Sequence, residues 1–178
     1  MCDTPNEDGT YAAFFAHGNV IYQDRLSFDE PPSSDPPAFS SFAAVTLISG
    51  FVPVRLVMTP GCEYLYALFR HTFIMPIAFR FDFDVDREYL EESAGATFAN
   101  TDEFMRTITY SPWNYAWPVA LFSDSATGEY PQTVKIMRPD SPASEYETIA
   151  EGLRGVQVHG AFTTRGTPRS SPRPADRF

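Results

Sequence analysis

The sequence predicts an all-β domain, and three features carry that prediction. The first is the run Ile77–Val85, in which Ile77, Phe79, Phe81, Phe83 and Val85 alternate with Ala78, Arg80, Asp82 and Asp84. A period of two sends successive side chains to opposite faces of a strand. One face is therefore apolar and buried, the other charged and turned to water or to an interface. The second feature is punctuation: 16 Pro and 10 Gly cut the 178 residues into short pieces. The third is a supply of 16 Phe, 9 Tyr and 2 Trp, bulky side chains that fill cores and interfaces. A chain of this length forms one domain and buries about 70% of the surface its unfolded form exposes. The expected architecture is an antiparallel β-sandwich, a jelly roll of about eight strands with extended termini.

The elements follow in order. Residues 1–10 are polar and read as an extended N-terminal arm ahead of a sandwich over residues 11–160. Tyr11–Ala16 and Asn19–Gln23 read as short strands about the Gly18 break. Pro31, Pro32, Pro36 and Pro37, with Ser33, Ser34 and Asp35 between them, cannot sustain a hydrogen-bond ladder and form a surface loop. Phe42–Ile48 and Phe51–Met58 are apolar and β-branched and, separated by Ser49-Gly50, read as a hairpin closed by Thr59-Pro60-Gly61. Glu63–Phe69 is too short for periodicity to separate strand from helical turn. Arg87–Asn100 is the best helix candidate, with Glu88, Glu91 and Glu92 exposed and Gly95 limiting its length. Phe104–Tyr110, Tyr115–Phe122, Gln132–Met137 and Leu153–Thr164 supply four more strands, with turn chemistry at 124–128 and 139–144 between them.

Charge is uneven. Arg165, Arg169, Arg173 and Arg177 against Asp176 give residues 161–178 a net +3, which leaves −13 on the rest of a chain whose net charge is −10. An acidic body does not bind nucleic-acid phosphates, whose affinity comes from counterions released at Lys and Arg. The tail makes at most weak RNA contact. Pro168, Pro172 and Pro174 forbid a helix there, so residues 161–178 read as a basic, extended C-terminal arm. Cys2 and Cys62 are too few for a disulfide framework, so a reducing compartment or indifference to redox is expected, with Cys62 buried and inert. No signal peptide opens the chain and no apolar run reaches about 18 residues, which predicts a soluble protein with no membrane span.

Local catalytic motifs are missing. His17, His71 and His159 are far apart, with no His-x-His, His-Glu-x-x-His, Cys-x-x-Cys or Gly-x-Ser-x-Gly. The chain is expected not to be an enzyme and to need no cofactor. Two clusters merit weighing. Asp82, Asp84 and Asp86 alternate along the strand about 6.5–7 Å apart, a spacing that suits solvation, pairing with Arg80, Arg87 or a partner chain, an interface cation such as calcium or, at a stretch, an acid-base pair. Trp113, Tyr115 and Trp117 also alternate and form a stacking platform for sugar or base rings, or a protein contact.

Leu68-Phe69-Arg70 through Phe79-Arg80-Phe81-Asp82-Phe83-Asp84-Val85 resembles the central strand region of picornavirus capsid jelly rolls. Trp117-Pro118-Val119-Ala120-Leu121-Phe122-Ser123, with Ser125-Ala126 and Tyr130 after it, is similar to the Val-Pro-Phe-Leu-Ser strand of that family and its follow-on. Pro172-Arg173-Pro174 in a basic tail is a third point of likeness. The resemblance covers about a third of the chain. It implies a structural subunit of an icosahedral RNA virus, found in the virion and, during assembly, in the host cytoplasm. Its partners would be other capsid subunits and a host receptor, with Arg165, Arg169, Arg173 and Arg177 as an assembly arm. The alternative expectation is a β-sandwich module that binds glycan or host protein through an aromatic patch.

Overall fold

The computed structural model describes residues 1–27, 42–99, 103–124, 132–137 and 146–154. Strand is the dominant conformation, and no α-helix occurs among the described residues. The strands form three antiparallel sheets. The first contains β1 (Tyr11–His17), β2 (Val20–Leu26) and β3 (Phe42–Thr46). The middle sheet contains β4 (Phe51–Met58), β5 (Tyr64–His71), β6 (Ile77–Asp84) and β7 (Tyr89–Ala99). The third contains β8 (Phe104–Tyr110), β9 (Pro118–Ser123), β10 (Gln132–Met137) and β11 (Tyr146–Leu153). Within each sheet every hydrogen-bonded neighbour is also a neighbour in sequence. The sheets are meanders, and the interleaving of distant strands that defines a jelly roll is not among the pairings of the described strands.

The sheets stack face to face, with the middle one covered on both sides. In β5, Leu65, Ala67 and Phe69 enter a core shared with Ala12 and Ile21 of the first sheet. The intervening Tyr66 and Leu68 enter a second core with Met105, Ile108, Tyr110, Ala120, Phe122 and Met137 of the third. Period-two alternation separates these two sets, and both are apolar because both faces are dry. Glu63–Phe69 thus resolves as strand from Tyr64 onward. The β6 register is as expected: Phe79, Phe81 and Phe83 are buried in the first core, and Ile77 and Val85 pack against it. Asp82 and Asp84 face outward. Arg80 points away from that core yet not into water, since the third sheet covers it.

Three sequence expectations are corrected. Arg87–Asn100 is strand, not helix. The open edge of β6 requires a ladder partner, and Leu90 and Phe98 bury on it, so tertiary pairing overrides the helix formers at Glu88–Glu92. A register shift between Phe79 and Phe81 sends Leu90 into the first core and Phe98 into the second. The Phe42–Met58 segment is no hairpin: β3 pairs with β2 and β4 with β5, so Ser49-Gly50 lies in a crossing between sheets. The strand expected at Tyr115–Phe122 begins only at Pro118, because residues 112–117 form turns. The loop expected at Pro31–Pro37, the turns expected at 124–128 past Asp124 and at 139–144, and most of the strand expected at Leu153–Thr164 lie outside the described residues.

Residues 1–10 do not extend as an arm. Cys2 forms a disulfide with Cys62, in the turn between β4 and β5, and both cysteines are fully buried. Cys62 is buried as expected, but it is bonded and not a lone thiol, so the expectation of a reducing compartment or indifference to redox loses its ground. Two cysteines are too few for a framework but sufficient for a clasp, and the pairing depends on tertiary proximity across a separation of 60 residues. Cys2 N donates to Ala12 O at 2.8 Å and Asn6 N to Thr10 O at 2.7 Å, so the segment folds back along β1.

These contacts also fix the strand directions. The start of β1 lies by the end of β4 through the disulfide. The end of β1 lies by the start of β4, because Leu47 N donates to Asn19 O at 2.8 Å. β1 therefore runs antiparallel to β4 and parallel to β5. It packs against β4, while β3 packs against β7.

Truncating Phe81 to Ala should lower unfolding free energy by about 3–5 kcal/mol in denaturant titration. Replacing Cys2 with Ser should cost about 2–4 kcal/mol. A reductant that lowers the melting temperature of the wild type should leave that of the Cys2→Ser variant unchanged.

Candidate functional site

Exposed large apolar residues gather at the end of the middle sheet where β4 begins and β5 ends. Phe51 and His71 are cross-strand partners there. The crossing into β4 supplies Ile48, 79% exposed. The loop after β5 supplies Phe73, 88% exposed, and Ile74, while Val52 projects from β4 itself. Pro76 and the bends at 72–74 carry this apolar stretch out of the ladder, so its side chains find no core. The scaffold beneath is stiff. The His71 ring packs edge-on to Phe51 at 5.1 Å and lies 6.0 Å from Phe73. Phe73 N donates to His71 Nδ1 at 3.2 Å. Gly50 has φ +99°, and a Cβ there would stand 2.7 Å from His71 Nε2, so only glycine lets the imidazole close over the crossing. Asn19 holds the same crossing from the first sheet, its Nδ2 donating to Leu47 O.

The acidic cluster divides. β6 ends at Asp84, so Asp86 belongs to the following turn and leaves the shared strand face. Asp84 closes that turn, accepting Arg87 N at 3.1 Å and lying 3.5 Å from Arg87 Nε. Asp82 lies 3.7 Å from Arg80 Nε. Among the described residues no three His, Cys, Asp or Glu side chains come together as metal ligands. The set Asp82, Asp84, Asp86 is an exposed Asp84–Arg87 pair of small energetic weight, a carboxylate at the edge of the covered Arg80, and a solvated turn residue.

The aromatic triplet divides as well. Because 112–117 is turn and not strand, alternation does not align the rings. Trp113 stands 80% exposed, Tyr115 packs edge-on against Tyr110 at 5.3 Å, and Trp117 closes the turn through Ser111 N→Trp117 O at 2.7 Å. The turn is locked onto the middle sheet. Arg80 stacks over Tyr64 at 4.9 Å and donates to Ala116 O at 2.8 Å, while the Tyr66 hydroxyl donates to Tyr115 O. The four arginines of the C-terminal arm and His159 lie outside the described residues.

Sequence reasoning missed Ile48, Val52, Phe73 and Ile74. The usable signal was apolar side chains placed directly against the breakers Gly50 and Pro76, which cannot all bury. No family model matches the chain, and no curated protein or solved structure matches it significantly.

Burial between the sheets raises the Tyr66 hydroxyl above its ordinary value, and burial raises Tyr110 too. Folding then favours the neutral phenols. As pH rises past about 10 the unfolded chain loses these protons first, so their contribution, fully present below that pH, is progressively lost. Stability measured against pH should decline from there upward, and Tyr66→Phe should flatten the decline.

Proposed function

We propose that this chain is a non-catalytic structural subunit that works by assembling with copies of itself. A viral shell of icosahedral symmetry is the assembly to which its sequence resemblance points. The observation that carries the reading is the dispersal of exposed apolar groups. Phe15 and Phe42 lie on the first sheet, Ile48, Val52, Phe73 and Ile74 at one end of the middle sheet, and Ile149 on the third, with Trp113 on the turn opening β9. A subunit with several neighbours needs apolar contacts on several sides, whereas a small-ligand binder needs one concave patch. Three stacked meanders give these contacts a rigid base. The buried Cys2–Cys62 disulfide suits a particle exposed to oxidising surroundings, as virion surfaces are.

In this reading the acidic body does not package RNA, and charge neutralisation falls to other chains, polyamines or metal ions. The basic segment 161–178 serves as an arm between subunits. The second reading, a module binding a host protein, is favoured by the concentration of Ile48, Val52, Phe73 and Ile74 at one stiff end.

Light scattering and electron microscopy of the purified chain separate the two. Assembly predicts particles far larger than a monomer, diminished in an Ile48→Ser/Phe73→Ser double variant whose melting temperature is unchanged. A uniformly small species under all assembly conditions overturns the shell and leaves the module.

A further inference from the structure

We infer that the free edge of β1 is a twofold contact, at which β1 of a second copy adds in antiparallel fashion to make one continuous sheet across the dimer. The inference rests on the self-association reading and names its contact. β1 is an edge strand of the first sheet. Among the described residues, the folded-back N-terminal residues are what lie along its outer edge. Their contacts end at Ala12, through Cys2 N→Ala12 O and the Pro5–Tyr11 bridge.

The remaining edge has a definite hydrogen-bonding face. Ala12 O points outward to Cys2, and polar groups alternate sides along an antiparallel strand, so the N–H and C=O of Phe14 and Ala16 also point outward. The two-residue turn at Gly18-Asn19, which makes His17 and Val20 a bonded pair, fixes the same phase. Placing the twofold axis at Phe15 sets Phe14 of each copy opposite Ala16 of the other. Each such pair exchanges two hydrogen bonds, and both Phe15 side chains meet on one face, where antiparallel partners approach most closely. Phe15 lies on the face opposite the core, 42% exposed and stacked on Tyr22 at 5.2 Å.

The other edges are guarded where this one is not. Outer strands usually carry charges or proline that discourage further pairing. β4 has Pro53 and Arg55, β7 has Glu91, β8 has Arg106, and β11 has Glu147 and Glu151. β1, reading Tyr-Ala-Ala-Phe-Phe-Ala-His, has no carboxylate, lysine, arginine or proline. β3 is also uncharged, and it packs against β7, the last strand of the middle sheet. A second copy suits β1 because the edge is self-complementary and brings no like charges together, although each chain carries −10.

The test is sedimentation velocity on the full chain across a dilution series, with three variants. Ala16→Pro removes an outward N–H without touching the bonds to β2, and Phe15→Lys sets two like charges together at the axis. Each should weaken dimerisation about tenfold or more while the folded monomer persists. Phe73→Ser should leave the dimer constant unchanged. If Ala16→Pro does not fold, Phe15→Lys decides alone. A dimer indifferent to Phe15→Lys overturns the edge contact. So do slowly exchanging Phe14 and Ala16 amides in a dilute monomer, since the chain's own residues would then cover the edge. Association lost on Phe73→Ser but not on the edge variants also overturns it, yet sustains self-association. A chain monomeric at every concentration overturns both.

Discussion

The two-sided burial of the middle sheet is the constraint on which the remaining structure depends. A strand such as β5, with Leu65, Ala67 and Phe69 in one core and Tyr66 and Leu68 in the other, cannot stand at a protein surface on either face. It requires a sheet before it and a sheet after it. The chain supplies these in sequence order, each as a meander, which needs only short connections and leaves strand directions consistent from layer to layer. The ends of the stack carry the loops, and the apolar rim at Ile48 and Phe73 is a product of that arrangement.

Polar groups are spent at the seams between layers. Arg80 lies between the middle and third sheets, stacked on Tyr64 and bonded to Ala116 O, so a charge that reads as solvated instead fastens the 112–117 turn. Within the third sheet, Lys135, the chain's sole lysine, pairs with Glu103 and lies 5.5 Å from the Phe122 ring centroid. At the opposite seam Arg25 of β2 bonds Glu88 of the β6–β7 turn at 2.7 Å and approaches Asp8 at 3.7 Å. Arg25 is half exposed, so this link adds register more than stability. The disulfide supplies the stronger fastening there, joining the first residues to the β4–β5 turn.

The first sheet is the smallest of the three among the described residues, and it carries Phe15 and Phe42 exposed and no charged residue or proline on β1. Its attachment through the Cys2–Cys62 clasp and the Asn19–Leu47 bonds keeps that open sheet aligned with the covered ones.

By itself the sequence determined the all-β class, the phase of β6, and most strand positions, because period-two alternation and Gly or Pro breaks are local signals. It did not determine which strands share a sheet. Phe42–Met58 has every local mark of a hairpin, and only the pairing of β3 with β2 decides otherwise. Nor did it determine that Tyr89–Ala99 extends: helix propensity at Glu88–Glu92 is local, while the demand of β6 for a partner is not. The expected sites failed for the same reason. Asp86 and the ring set Trp113, Tyr115 and Trp117 share a face only if the strand continues, and turns end it at Asp84 and delay it to Pro118. The exposed rim and the disulfide exist only once the layers are stacked, because each is defined by what lies beside it in space.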